Sequence, residues 1–563
     1  MIKKTIPKSI PKKGDSNSDF VDSPPKTSNF SHASTSRYPI HSKDNSKGKQ
    51  RESIGVVDKK IKKRVISVEV ARRRRIIDSE DEEDDDDRSE EAKVLSSKLC
   101  MDTRNRSIRI AMLPWLAHGH ITPFIELAKA LSNRNFYIYI CSTQVNINSS
   151  KQTISEKYSI SIKIVEIHLP NLPNLPPHYH TTNGLPPHLM STLKNAMDMA
   201  QPSFYHILTT LKPDLVIYDF LQPWVPTMAA SLNIPSVLFL TPGAAAGSYL
   251  FHIGKKKPVS EYPFPAIYLR DYEYERNRCM FEPTEEDEGN DGFTDTQRRV
   301  NGCIDGSSQI ILIKSIRQLE GKYIDYLSNV HNKRYVPVGP LVRSPETETE
   351  HLGIMDWLNS KERCSTVFAS FGTEYFLSKE ETEELALGLE FSKVNFLWVI
   401  RFPVGQNMNL EEALPKGFLE RVGNRGKVVQ GWAPQLTILS HWSIGGFVSH
   451  CGWSSVMEGL KVGVPIIGMP MHLDQPLNAK LIVDAGVGEE VVRDKNGNVD
   501  RHEVAKVIRE VVAEKSGQRL RKKAREFNEI MKSNGEKEID EVVKELLNLC
   551  NPITRQDSVE MLC

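Results

Sequence analysis

Hydrophobic and polar positions along the chain follow a repeating order of strand, helix and strand. The first repeat begins with an apolar run at Ile108–Leu113, continues through an amphipathic helix over about 121–132, and ends with a second apolar run at Phe136–Cys141. Further strands are predicted at Asp214–Phe220, Ser236–Gly243 and Gln309–Ser315. Because a helix follows each early strand, the pattern predicts a parallel α/β sheet.

The same pattern restarts after Tyr335–His351, a stretch rich in proline, glycine and charge that we interpret as an inter-domain linker. The elements predicted beyond it are strands at 366–372, 395–402, 427–432, 445–450 and 465–470, and helices at 378–393, 435–442 and 454–462. This alternation predicts a second doubly wound α/β domain, and a length of 563 residues fits two domains. A ligand cleft is expected between the carboxyl edges of the two sheets.

Residues 1–104 have a different composition from the rest of the chain. They are rich in Lys, Ser, Pro and Asp and lack a helical or strand period, so a disordered extension is predicted. The basic runs Lys59–Arg64 and Arg72–Arg75 precede the acidic run Asp78–Asp87. A nuclear-localisation or interaction tail is one interpretation, and a solvated appendage or mis-joined gene without a role in the chemistry is the other. Removal of the extension is expected to leave catalysis intact.

Charge and cysteine usage exclude several classes of function. The net charge of +1 provides no global field that would draw nucleic acid or an anionic membrane to the folded part. The eight cysteines lack CxxC pairs and metal-ligand spacing, which is typical of a reduced intracellular protein without zinc. The chain also lacks a secretory leader and an apolar run of about 18 residues that could span a membrane. A cytoplasmic protein is therefore predicted.

Two candidate catalytic residues fall at predicted carboxyl ends of strands in the first domain. His120 follows the first strand and begins a helix, where the positive helix terminus favours a neutral imidazole that can take a proton from a hydroxyl. Asp219 ends a later strand and is suited to hold a histidine in one tautomer. A loop hydrogen bond for His120, and a helix cap or an ion pair for Asp219, are the structural alternatives.

In the second domain, a strand, a tight turn and a helix predict an anion site. The helix is expected to begin near Ser454 and Ser455, where free backbone N–H groups suit a diphosphate. His450, the serine hydroxyls and Thr373 add donors that would stabilise the charge of a leaving diphosphate.

Neighbouring side chains suit the rest of a nucleotide sugar. Trp432 offers a face on which a base can stack, and Glu458 can chelate ribose hydroxyls. Asp474 and Gln475 combine acceptors and donors for a sugar. Ser455 and Glu458 also match an S-x-x-E capping box, which is a purely structural alternative. The lack of GxGxxG and GxxxxGK[ST] motifs favours a nucleotide diphosphate sugar over a dinucleotide.

The segment Trp432–Gln475, with "WAPQ", "GGFVSHCGW" and "DQPLN" in register, resembles the signature of plant family 1 UDP-sugar glycosyltransferases. With "HGHITP" and "YDF", the resemblance extends from Ile108 to Leu547. It implies a GT-B fold, in which two Rossmann-like domains face each other across a cleft. The domains expected are an acceptor-binding domain over 105–340, a UDP-sugar-binding domain over 341–549 and a flexible tail over 550–563.

The resemblance also implies a role for each matching residue. His120 is the expected base and Asp219 its carboxylate partner. The expected donor contacts are Trp432 to uracil, Gln435 and Glu458 to ribose, His450, Ser455 and Thr373 to phosphate, and Trp453, Asp474 and Gln475 to the sugar. Ser454 stands where the family commonly has Asn and keeps only a short phosphate donor. The expected reaction inverts the anomeric carbon, uses UDP-glucose as co-substrate and needs no metal or further cofactor.

A narrower resemblance concerns Met112–Leu131, which is similar to the branch of the family that adds a sugar to an existing glycoside. We therefore expect glucose transfer to a sugar hydroxyl of a flavonoid or terpenoid glycoside. A sugar alcohol is less acidic than a phenol, so it depends more on a general base. The alternatives are an aglycone-directed glucosyltransferase and, from another class, a non-catalytic nuclear interaction protein driven by the charged extension.

Overall fold

The structure, a computed structural model, describes most of the chain from residue 107 onward. The described residues are 107–151, 154–283, 291–345, 352–373, 375–402 and 409–550. The extension predicted over residues 1–104 lies outside them, and of the tail predicted over 550–563 only Cys550 is described.

Seven parallel strands form the first sheet in the order β3-β2-β1-β4-β5-β6-β7. The strands are β1 (Arg109–Leu113), β2 (Tyr137–Ser142), β3 (Ile162–Glu166), β4 (Leu215–Tyr218), β5 (Ser236–Leu240), β6 (Ile310–Ile313) and β7 (Arg334–Pro337). The α-helices of this part are α1 (His118–Ser132), α2 (Gln144–Ser150), α3 (Met190–Met199), α4 (Gln201–Leu211), α5 (Trp224–Ser231), α6 (Ala244–Gly254), α7 (Asp271–Arg276), α8 (Asp295–Gly306) and α9 (Arg317–His331). Alternate residues of β1 enter two separate cores, Ala111 in one and Ile110 in the other, because both faces of the sheet are covered.

Six parallel strands form the second sheet in the order β10-β9-β8-β11-β12-β13. The strands are β8 (Thr366–Ser370), β9 (Asn395–Ile400), β10 (Gly426–Gln430), β11 (Ile444–Ser449), β12 (Ile466–Gly468) and β13 (Gly488–Glu490). The α-helices are α10 (Leu352–Asn359), α11 (Lys379–Ser392), α12 (Leu410–Ala413), α13 (Phe418–Val422), α14 (Gln435–Leu439), α15 (Trp453–Val462), α16 (Gln475–Asp484), α17 (Arg501–Ile508) and α18 (Ser516–Cys550). A π-helical turn, Arg509–Ala513, joins α17 to α18.

Both predicted parallel sheets are confirmed, but the linker predicted over Tyr335–His351 is wrong at its start. Tyr335, Val336 and Pro337 belong to β7, which pairs in parallel with β6. Tyr335 and Val336 are each 1% exposed, so this short apolar run is core rather than connection. The neighbouring proline and glycine residues favoured a linker over a strand in the sequence analysis.

The order of strands places one switch point in each sheet. In the first sheet β1 lies beside β4, and in the second β8 lies beside β11, because the chain reverses its direction of winding at these pairs. Ligands of open α/β sheets bind in the crevice beyond the carboxyl ends of such strands. The residues that follow β1, β4, β8 and β11 are therefore the ones brought together at two crevices.

Helix α18 connects the two halves of the described chain. Its early residue Leu520 is buried in a core of the second sheet, whereas Ile539, Val542 and Leu546 are buried in a core of the first sheet. Its polar face also meets the first sheet's helices, since Arg134 Nε donates to Asp540 at 2.7 Å. The described part of the chain thus ends on the same sheet at which it begins.

Candidate active site

The first switch point brings His120 and Asp219 into contact. His120 lies in the first turn of α1, just after β1, and Asp219 directly follows β4. His120 Nδ1 lies 2.9 Å from Asp219 Oδ2. A carboxylate oxygen can only accept, so Nδ1 carries the shared proton and the basic lone pair is on Nε2.

Asp219 is held in place by the protein around it. Its side chain is fully buried, and its oxygens accept the backbone N–H groups of Trp115 at 2.9 Å and Phe220 at 2.8 Å. Asp219 is not a helix cap, because α5 begins later, with Pro223 at its cap position. The late start of α5 excludes the capping alternative. The two backbone hydrogen bonds satisfy a buried carboxylate whose burial would otherwise be energetically unfavourable.

Thr241 is a neighbour of this pair that the sequence analysis missed. It follows β5, and its Oγ1 lies 3.2 Å from His120 Nδ1. The signal was present in the sequence, since Thr241 is a polar residue at the carboxyl end of a strand next to β4 in the sheet. The arrangement fixes the imidazole in one orientation, as a general base requires.

The second switch point contains the helix start at which the anion site is predicted. Helix α15 begins at Trp453 with Gly452 at its cap position, and no side chain caps it. Its first backbone N–H groups are therefore available to an anion, aided by the helix dipole. A Cβ built on Gly452 would lie 2.5 Å from His450 Nε2, so glycine is required there for the imidazole to approach the helix start.

His450 follows β11 and is electrically neutral at physiological pH. Burial, together with the nearby His472, lowers its pKa to about 4, and the Ser370 main chain partly opposes this. Its buried Nδ1 atom has no hydrogen-bond partner among the described residues. Burying a polar atom without a hydrogen bond costs free energy unless a ligand or a water molecule bonds to it. The arrangement therefore favours a polar ligand here.

Gln435, Ser455 and Glu458 form a single hydrogen-bonded group. Gln435 Nε2 donates to Glu458 Oε2 at 2.7 Å and to Ser455 Oγ at 3.1 Å. Ser455 lies inside α15 rather than at its cap, so the capping-box alternative is wrong. Burial raises the pKa of Glu458, while the Gln435 hydrogen bond and the Lys314 charge lower it.

Trp432 and Thr373 are accessible to a ligand. Trp432 lies between β10 and α14 and is 56% exposed, although large apolar side chains usually bury themselves. Thr373 lies shortly after β8 and is also exposed. Both positions are compatible with the predicted donor contacts, which stay predictions.

The three predicted sugar contacts differ in their surroundings. Trp453 is 4% exposed, and its Nε1 donates to the carbonyl of Lys314 at 2.6 Å. Gln475 Oε1 accepts the backbone N–H of Met471 at 3.1 Å, so its amide faces its own loop. Burial raises the pKa of Asp474, and the charge of His120 is among the influences that lower it, so this carboxyl and His120 interact electrostatically.

Three further observations concern metal-binding groups, membrane-spanning helices and cysteines. Within the described ranges no group of three or more His, Cys, Asp or Glu side chains could hold a metal ion. No helix in the described part of the chain is long and apolar enough to cross a membrane. The described cysteines are free thiols, namely Cys141, Cys279, Cys303, Cys364, Cys451 and Cys550.

Two family profiles match the chain. The one described as UDP-glucoronosyl and UDP-glucosyl transferase matches residues 347–535, and the one described as glycosyltransferase, N-terminal domain, matches residues 106–343. Together they cover both sheets.

Individual relatives agree with these profiles. Mogroside IIIx synthase of Siraitia grosvenorii is 53% identical over 78% of this chain and 92% of its own length. Beta-D-glucosyl crocetin beta-1,6-glucosyltransferase of Gardenia jasminoides is 50% identical over 79% of this chain and 100% of its own length. The crystal structure of UGT73P12 of Glycyrrhiza uralensis, complexed with glycyrrhetinic acid 3-O-monoglucuronide, covers 81% of this chain and 99% of its own with a TM-score of 0.70 at 23% identity. This last likeness shows the same GT-B fold.

Proposed function

The chain belongs to the family of UDP-glucuronosyl and UDP-glucosyl transferases, and on that premise we propose that it transfers glucose from UDP-glucose to a sugar hydroxyl of a plant terpenoid or flavonoid glycoside. The proposed reaction inverts the anomeric carbon and uses no metal. The observation that carries the proposal is the contact of 2.9 Å between His120 and Asp219 at the first switch point.

In the proposed mechanism His120 Nε2 takes the proton of the acceptor hydroxyl. The acceptor oxygen forms its bond to C1 of the sugar as the bond from C1 to the diphosphate oxygen breaks, and that electron pair leaves on UDP. Asp219 stabilises the imidazolium that forms, and its two backbone hydrogen bonds keep it from turning away. The proton leaves His120 after the glycoside product has formed.

The second switch point holds the donor in this proposal. Trp432 stacks on the uracil, and the Gln435 and Glu458 group binds the ribose. The diphosphate lies at the start of α15, where His450, Ser454, Ser455 and Thr373 donate to its oxygens. Trp453, Asp474 and Gln475 contact the glucose.

The relatives support a glycoside as acceptor. One of them is named as a glucosyltransferase of beta-D-glucosyl crocetin, which is itself a glucoside, and it is 50% identical to this chain. An aglycone-directed enzyme remains the competing proposal. The nuclear interaction hypothesis depends on residues 1–104, outside the described residues, and it gives no reason for a complete catalytic pair.

The test is UDP release from UDP-glucose by the purified full-length protein. A terpenoid or flavonoid monoglucoside and its aglycone are assayed in parallel, with UDP-glucuronic acid as a second donor and His120→Ala as the control for non-enzymatic release. We expect release with the monoglucoside and UDP-glucose. Release with the aglycone alone would replace the proposed acceptor class, and release with UDP-glucuronic acid alone would replace the proposed donor.

A further inference from the structure

Lys314 is a buried cation at the second switch point that the mechanism above does not use. It follows β6 of the first sheet and is 1% exposed. Its Nζ donates to Ser454 Oγ at 2.8 Å, and its carbonyl accepts the Trp453 indole N–H at 2.6 Å. One residue of the first sheet therefore contacts the first two residues of α15, across the two halves of the molecule.

This position is unfavourable for a cation in the protein alone. Among the described residues, no carboxylate lies within ion-pair distance of Lys314 Nζ, and a serine hydroxyl is its hydrogen-bond partner. The start of a helix carries positive potential, which repels an ammonium group. Burial lowers the pKa of Lys314 to about 8, and the more distant Glu458 and Glu126 only partly offset this. A buried charge of this kind requires a counter-ion.

We propose that Lys314 binds the diphosphate of the donor, as a cation supplied to the nucleotide site by the acceptor-binding domain. The inference rests on the proposed function, because the counter-ion is the diphosphate at the start of α15. His450 Nδ1, buried and without a partner among the described residues, is an independent sign that a polar ligand completes this site.

The same inference gives Ser454 a place in the site. The Lys314 ammonium group lies directly against the Ser454 hydroxyl, so its charge reaches the start of α15 where the diphosphate is proposed to bind. A hydrogen bond from a charged donor stabilises a bound phosphate more than a hydrogen bond from a neutral amide does.

Two consequences follow for the reaction. The diphosphate is shared between the two sheets, so donor binding strengthens the existing contact between Lys314 and the start of α15. Lys314 also neutralises the negative charge that grows on UDP as the bond to C1 breaks, so it acts on turnover as well as on donor affinity.

The experiment measures binding of UDP and of uridine by isothermal titration calorimetry. Wild-type protein is compared with Lys314→Met, which keeps the length of the side chain without its charge, and with Lys314→Arg, which keeps the charge. The matched control is Lys461→Met, because Lys461 lies in the last turn of the same helix and its Nζ donates to the Val342 carbonyl at 3.4 Å.

We expect Lys314→Met to weaken UDP binding by about 10- to 100-fold and uridine binding by less than about twofold. Lys314→Arg should recover most of the loss, and Lys461→Met should bind UDP as the wild type does. The melting temperature of Lys314→Met without nucleotide should equal or exceed that of the wild type, because an unpaired buried charge has been removed.

Equal loss of UDP and uridine binding, together with a lower melting temperature, would assign Lys314 a purely structural role and overturn the inference. Unchanged UDP binding by Lys314→Met would also overturn it while leaving the proposed function in place. If the wild type itself binds neither UDP nor uridine, the proposed donor site fails, and the inference fails with it.

Discussion

The two switch points differ in how far the protein itself satisfies their polar side chains. At the first, Asp219 is fully buried and accepts from His120 and from two backbone N–H groups. At the second, His450 Nδ1 has no partner among the described residues, and the Lys314 ammonium group meets one hydroxyl. Trp432 there is 56% exposed.

The difference teaches which part of the reaction is prepared before any substrate arrives. In the proposed mechanism, the fold already holds His120 and Asp219 in contact, so no reorganisation is needed when the acceptor binds. In the same mechanism the donor side is completed only by the nucleotide sugar. Substitutions at the first switch point should therefore reduce turnover, and substitutions at the second should reduce donor affinity.

The largest expected effect comes from His120→Ala. Loss of the base should lower kcat by about 100- to 10,000-fold while the dissociation constant of UDP stays unchanged. Steady-state kinetics and calorimetry on the same preparation check the two halves of this statement. His188→Ala is the control, because His188 is exposed and lies in the short 3₁₀ helix Pro187–Leu189. A turnover near that of the wild type would remove His120 from the role.

A smaller loss is expected for Asp219→Asn. The amide cannot accept at both positions, so the His120 tautomer is no longer fixed and kcat should fall about 100-fold. The backbone N–H of either Trp115 or Phe220 also loses its acceptor, because the NH₂ group of the new amide cannot accept a hydrogen bond. The free energy of unfolding should therefore fall by about 1–3 kcal/mol. Chemical denaturation measures this second effect. Full activity together with reduced stability would make Asp219 a structural residue only.

Trp432→Ala tests the other side of the comparison. Removing the stacking surface should weaken UDP binding by about 5- to 100-fold and leave the melting temperature without nucleotide nearly unchanged, because the side chain is already half exposed. Trp442→Ala is the matched control, since Trp442 is 48% exposed in the same domain and has no predicted ligand contact. Equal effects of the two substitutions would contradict the stacking role.

The smallest expected effect is a dependence of UDP affinity on pH. The pKa of Lys314 is lowered to about 8, so the group is charged below this pH and loses its charge above it. UDP binding should therefore weaken several-fold from pH 7 to pH 9, since the second phosphate ionisation, with a pKa of about 6, is nearly complete at pH 7 and changes little above it. The charged groups facing Lys314 are Glu458 of α15 and Glu126 of α1, and Arg343 acts on Glu458.

Titrations of UDP and uridine at each pH, on wild type and Lys314→Met, separate these influences. The pH dependence should appear only for UDP and only in the wild type. The same slope in Lys314→Met would show that another group is responsible.

Most of the strands and the contact between His120 and Asp219 were predictable because they follow simple rules. Apolar runs such as Ile310–Ile313 are buried at every position, and the ends of parallel strands meet at one edge of a sheet. Besides β7, strands β3 and β13 were not predicted: Ile162–Glu166 has only one buried residue, and Gly488–Glu490 has only three residues in all. Strands of this kind depend on pairing with a neighbour rather than on their own pattern.

Contacts between distant parts of the chain were beyond sequence reasoning. Lys314 and Ser454 are 140 positions apart, and no local pattern links them. Likewise, the spacing of Ser455 and Glu458 fits a capping box, but the helix already begins at Trp453. When a glycine in a turn precedes the first helical residue, no capping side chain marks the start, so the pattern of polar residues does not predict where the helix begins.

The packing of helix α18 against both sheets affects the design of chimeric enzymes, in which the acceptor-binding and donor-binding halves of related proteins are exchanged to alter substrate choice. Its last turns, with Ile539, Val542 and Leu546, complete a core of the first sheet. A chimera joined only between β7 and α10 would give the recipient a foreign helix end in that core. The donor half should therefore be grafted with a second crossover inside α18, so that the recipient keeps its own C-terminal turns.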